Sequence, residues 1–202
     1  MSWVSRLAAL VAVLSLMACT SSLREEEDPR PGTEAEIVAL TEAIADLGPG
    51  VDPAEARRAA ALAYSQTYRL AQEYEIVDPP LIHNTKVNMG RKPRGLCWHW
   101  ADDLQVALAA EDFQTLELHR AIANYDRLLR IEHSTVIVSA RGDDMLAGLV
   151  LDPWRRGGLL TWVPTADDHR YVWEPELDVL RDRYARKVAR GEAPPGGTVV
   201  AR

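Results

Sequence analysis

The chain has 202 residues, 47% of them hydrophobic, with 23 Lys and Arg against 30 Asp and Glu, for a formal net charge of −7. The acid excess argues against nucleic acid and against electrostatic docking on anionic lipid, because both reward clustered cations. Length and apolar content suffice for one domain with a sizeable core, and no internal repeat is visible at solenoid periods.

Residues 1–18 read as a secretory signal. Arg6 supplies the positive start, and Leu7 to Met17 is an apolar run broken only by Ser15, shorter than the roughly 20 residues a bilayer span needs. The run ends in Leu16-Met17-Ala18-Cys19, which resembles the lipobox of bacterial lipoproteins. That resemblance implies cleavage before Cys19, lipidation of Cys19, and a periplasm-facing anchor in the bacterial cell envelope. Thr20 stands where an inner-membrane retention aspartate would stand, which favours the outer membrane. An ordinary signal peptide cleaved nearby is the alternative. With Cys19 lipidated, Cys97 has no disulfide partner within the chain. A lone thiol in an oxidising compartment is a liability, easier to explain if it carries chemistry.

Residues 19–32 are polar and rich in breakers, and read as a flexible tether. A single domain is expected over 33–190, and a loose tail over 191–202. Thr33 and Glu36 form a capping-box pattern ahead of Ile37, Leu40 and Ile44, and Gly48-Pro49-Gly50 stops that helix. Asp52 caps a second helix with Pro53 at its first position and Glu55 at its third, and its apolar side runs to about Glu75. Residues 76–94, with Asp78-Pro79-Pro80, Gly90 and Pro93, read as one long loop. A third helix is expected from Leu96 to Ala110. Short β-prone runs follow at Phe113–Ala123, Ile131–Ala140, Ala147–Leu151, Leu159–Val163 and Tyr171–Trp173, and then a polar helix over Glu176–Arg190. Helices followed by an antiparallel sheet make an α+β pattern.

Three residues share one chemical logic. Cys97 opens the third helix, where partial positive charge and unpaired amides favour a thiolate and can hold a developing oxyanion. His133 opens one β run and Asp152 closes the next. If those strands pair antiparallel through the turn at 141–146, His133 and Asp152 meet at one sheet edge, with the Cys97 helix packed on the sheet. Thiol, imidazole and carboxylate then align as nucleophile, base and orienter. Each residue also has a structural reading. Cysteine is among the most buried types, a histidine can simply start a strand, and Asp-Pro is a turn signal.

Gly95-Leu96-Cys97-Trp98, His133 at a strand start and Leu151-Asp152-Pro153-Trp154 at the next strand's end together resemble the papain-like superfamily, nearest its transglutaminase-like branch. The resemblance spans roughly residues 84–173. It implies a papain-like α+β fold, Cys97 as nucleophile, His133 as base, Asp152 as orienter, and thiol-dependent hydrolysis or acyl transfer on a peptide or amide. Peptidoglycan peptides or envelope proteins are the substrates and partners such a compartment offers. Such enzymes complete the oxyanion hole with an upstream side chain, often an amide. Asn84 and Asn88 are the candidates here, with Asn88 preferred. The alternative is a catalytically inactive papain-like lipoprotein used for binding or assembly.

Other features carry less. No cofactor is implied and no metal site is expected, because Cys97 and His99 are two apart on a helix and His83, His119 and His169 lack ligand spacing. Trp98 and Trp100 are expected to wall the cleft, and most other tryptophans to fill the core. Arg155-Arg156-Gly157-Gly158 reads as a solvated turn or a carboxylate site, and Asp102-Asp103 as a solvated helix face.

Overall fold

The computed structural model describes residues 28–200; the expected signal over 1–18, the expected lipid site Cys19 and the expected tether up to residue 27 lie outside the described residues. Four helices come first: α1 (Glu34–Ala45), α2 (Pro53–Glu73), α3 (Pro80–Asn88) and α4 (Cys97–Ala109). Five strands follow: β1 (Leu116–Ala123), β2 (His133–Ala140), β3 (Leu149–Asp152), β4 (Thr161–Pro164) and β5 (Trp173–Pro175), and α5 (Glu176–Ala189) closes the domain. The strands form one sheet in the order β4-β3-β2-β1-β5, and every pair is antiparallel. The fold is α+β. Among the described residues no helix is long and apolar enough to cross a membrane.

The first two helix starts are built as their sequences dictate. Thr33 Oγ1 accepts from the Glu36 amide at 3.2 Å, and Glu36 accepts from the Thr33 amide at 2.7 Å. Asp52 Oδ1 accepts from the amides of Ala54 and Glu55 at 2.7 and 3.0 Å, with Pro53 at the first helical position. Glu55 does more than sit in a first turn. It is buried and accepts from the Gln114 and Thr115 amides and the Thr115 hydroxyl, at 2.7, 2.8 and 2.6 Å. It thereby ties the start of α2 to the turn between α4 and β1.

Two expectations need correction. Residues 76–94 are not a continuous loop, because α3 occupies the middle. Pro80 at its first position pre-sets the backbone, but only His83 of α3 is buried, so no apolar stripe announces the helix. The end of the segment expected as a tether, residues 30–32, is also held against the folded part. Arg30 pairs with both Glu36 oxygens at 2.8 and 2.9 Å, and the Tyr64 ring packs so close to Gly32 that no Cβ would fit there. Beyond α5, the Tyr184 hydroxyl meets the Pro194 carbonyl and accepts from the Gly197 amide.

The main core lies between the helices and one sheet face. Leu40 and Ile44 of α1, Leu104 and Leu108 of α4, Val136 and Val138 of β2, and Leu149 and Leu151 of β3 pack around the alanine row Ala56, Ala59, Ala60 and Ala63 of α2. Small side chains let helix axes approach, and this presses α2 and α4 together beside the sheet. On the opposite face Ile137, Val150, Ala121, Ala123 and Trp173 form a second cluster. That second face carries His133 and Asp152.

Candidate active site

The local sequence fixes where α4 begins. Gly95 has φ +122°, in the left-handed region that favours glycine, and a Cβ there would lie 2.4 Å from His83 Nε2. His83 is buried and donates from Nε2 to the Arg94 carbonyl at 2.8 Å. The start of α4 is therefore clamped to α3. His99 folds back so that its Nδ1 accepts from the amides of Gly95 and Leu96 at 3.1 and 3.2 Å. Acceptance at Nδ1 makes His99 a cap at the start of α4. Cys97 follows as the first helical residue, so its amide has no carbonyl one turn earlier in the helix to meet.

His133 and Asp152 meet through the sheet. Val136 pairs with Leu151, and continuing that register sets Thr135 opposite Asp152. His133 is the diagonal neighbour of Asp152 on the same face, and β2 is the central strand; the two meet at the strand ends inside the sheet, away from its lateral edge. His133 Nε2 lies 2.6 Å from Asp152 Oδ2, and each side chain is 1% exposed. The ionised carboxylate can only accept, so Nε2 carries the proton and Nδ1 is left for another partner. Nδ1 is buried with no hydrogen-bond partner. Cys97 packs with Trp100 and Trp154 and is 8% exposed. Its Sγ lies 3.6 Å from the carbonyl of Glu132, the residue before His133.

Electrostatics couple the three. Burial of His133 works against its charged form, but the charge and hydrogen bond of Asp152, with Cys97 adding to them, outweigh it and raise the imidazole to about 9. Burial likewise works against ionised Asp152, yet His133 and Arg155 hold the carboxyl below its usual range. The arrangement favours an imidazolium between a carboxylate and a sulfur.

Several residues of the site were not assigned to it from the sequence. Arg155 is no solvated turn residue. Its backbone N and Nε donate to Asp152 at 3.0 and 2.9 Å, and its two terminal nitrogens reach Asp168 at 3.2 and 2.7 Å. Asp168 also accepts from the Trp173 indole at 2.9 Å. A chain of charge thus runs from His133 through Asp152 and Arg155 to Asp168. The rings of Trp154, Tyr171 and Trp173 surround the imidazole, with centroids 4.7, 4.7 and 5.5 Å away. The spacing of Arg155 three residues after Asp152 was a usable clue; for Asp168 there was none.

Other expected residues divide. Asn88 is exposed at the end of α3, whereas the Asn84 side-chain oxygen accepts from the Trp154 indole at 3.0 Å. With its oxygen taken by Trp154, the Asn84 side chain has its NH2 as the remaining donor. Trp98 is half-buried, with its ring 3.8 Å from that of His99. Trp100 is core: it is 1% exposed, packs edge-on against Tyr74, and donates to the Gly95 carbonyl at 3.1 Å. Asp102 and Asp103 are not simply solvated, since Asp102 pairs with Arg120 at 2.6 Å and Asp103 with Arg94 at 2.8 Å. Among the described residues no group of three or more His, Cys, Asp or Glu side chains could hold a metal ion.

An open groove of about 610 Å³ runs past this site, between the start of α3 and the β1–β2 loop, with Trp154, Arg155 and Tyr171 along it. Fold and site together define an α+β domain in which a cysteine-headed helix starts beside a buried His–Asp pair. No family model, curated protein or solved structure matches the chain.

Proposed function

We propose that the protein is a thiol-dependent amidohydrolase or acyltransferase of papain-like, transglutaminase-like design, acting on a peptide or amide substrate. The observation that carries this reading is His133, held by Asp152 through one ring nitrogen while the other is left for the Cys97 sulfur. Cys97 Sγ attacks the carbonyl carbon and the C=O π pair moves to oxygen. The Cys97 amide and the Asn84 side chain are the donors available to that oxyanion. His133 gives its Nδ1 proton to the leaving nitrogen, the C–N bond breaks, and a thioester remains. Water or an amine then gives a proton to His133 and displaces the sulfur, restoring the starting state. Lipid anchoring on Cys19, a periplasm-facing place in the envelope and peptidoglycan or envelope-protein substrates belong to the same proposal.

The test is alkylation of Cys97 in the full chain across pH, beside His133→Ala. The expected outcome is a thiolate-like rate persisting below the ordinary cysteine value of about 8.5 and lost with the imidazole. Equal rates in the two forms would overturn the reading. A second reading, a non-catalytic binding or assembly lipoprotein, draws on how closed the site is, with His133 and Asp152 almost fully covered. It requires a strain carrying Cys97→Ala to keep full function.

A further inference from the structure

The groove beside His133 bears on the acyl group the site would take, and the inference rests on the amide chemistry proposed above. Two of its features point the same way. Leu81 and Ile82 on α3 and Ile131 on the facing β1–β2 loop are each about half exposed, which gives the groove apolar walls. Three arginines also line it: Arg130, Arg155 and Arg170. Arg155 is committed to Asp152 and Asp168. The guanidinium groups of Arg130 and Arg170 meet no carboxylate among the described residues, although the Arg170 backbone amide donates to Asp168 at 3.2 Å and acids outnumber bases in the chain. The nearby acid on the same loop, Asp126, is taken by Arg127 at 3.4 Å. Arg170 instead lies over the Tyr171 ring, 5.8 Å from its centroid, and that ring also packs on His133. The groove adjoins the reacting groups through two of its aromatic walls, since Trp154 packs with Cys97 and the rings of Trp154 and Tyr171 each lie 4.7 Å from that of His133.

We propose that this groove is the acyl-donor subsite, and that it selects an amide whose acyl side carries an apolar group and a free carboxylate. The apolar group lies against Leu81, Ile82 and Ile131. The carboxylate lies between Arg130 and Arg170, whose forked donors suit it. Neutral amides of the same shape fill the groove but offer neither guanidinium group a carboxylate.

Two dipeptide vinyl sulfones test this, identical except that one bears Leu-Asp and the other Leu-Asn. Cys97 Sγ adds to the alkene carbon β to the sulfonyl group, forming one S–C bond, and the π pair, held at the carbon α to the sulfonyl, takes the imidazolium proton. Rates are followed by intact mass on the full chain, with iodoacetamide as a small neutral control. The aspartyl probe is expected to react about tenfold faster at low salt, and added salt should shrink the difference. Arg130→Gln combined with Arg170→Gln should bring the two probes to parity and leave the asparaginyl and iodoacetamide rates unchanged. Equal rates on the unaltered chain, or a preference that survives both substitutions, would overturn the subsite while a fast, His133-dependent iodoacetamide rate left the amide reading standing. A slow iodoacetamide rate indifferent to His133→Ala would overturn both.

Discussion

At His133 two effects oppose each other: burial disfavours charge, and Asp152 with Cys97 favours it strongly enough to raise the imidazole from 6.5 to about 9. Its contribution to stability is therefore full below about 6.5 and is lost as pH rises through 9. Alkaline titration of the folded chain, followed by near-ultraviolet dichroism, should show a loss of stability centred on that window. His133→Ala should remove it. Arg155 is the residue whose removal should cost most. With its side chain gone, two carboxylates, each nearly fully buried, face each other without the cation that joins them. Arg155→Met should destabilise the domain by about 3 kcal/mol in urea unfolding, since breaking one member out of a buried ionic set leaves the others uncompensated. A change under about 1 kcal/mol would mean that water replaces the guanidinium easily.

The elements show how local rules and tertiary contacts divide the work. Thr33 and Asp52 were legible as caps because their partners lie within three residues, and α1 and α2 begin at these residues. Glu55 was legible only as an acidic residue in a first turn; its real partners, Gln114 and Thr115, lie far along the chain. Glu55→Ala should cost about 2 kcal/mol by leaving buried amides without acceptors, an effect measurable by thermal unfolding. The α3–α4 junction makes a sharper prediction. Gly95→Ala adds a Cβ where His83 already sits and forces an alanine into positive φ. It should destabilise by about 2 kcal/mol and, by moving the first turn of α4, slow alkylation of Cys97. His83→Ala in the same background should restore part of the stability by opening the space. No recovery would show that the φ requirement dominates over the clash.

For the whole molecule, acid should act through several carboxylates together. Burial of Asp152, Asp168 and Glu55 opposes ionisation, yet their hydrogen bonds and charge partners hold each below its usual range. The Arg30 and Thr33 contacts hold Glu36 down at about 2. Their stabilisation is present above the unfolded carboxyl values, near 4, and is lost as pH falls through the lower folded ones. Acid unfolding should therefore bind several protons in one cooperative step, and combining Glu55→Ala with Arg155→Met should move its midpoint to higher pH. The sequence alone determined the α+β order, the first two helix starts and the strand-forming runs, and it placed Cys97 at a helix start and His133 and Asp152 at strand ends, because caps, periodicity and turn residues act over a few neighbours. It could not announce α3, whose buried face is a single histidine, or the role of Arg155, whose partner Asp168 is reached only after β4 returns the chain. Asn84 and the aromatic box around His133 were hidden for the same reason. The tertiary structure decided these, because a buried charge or ring takes its meaning from groups that folding brings beside it from distant parts of the chain.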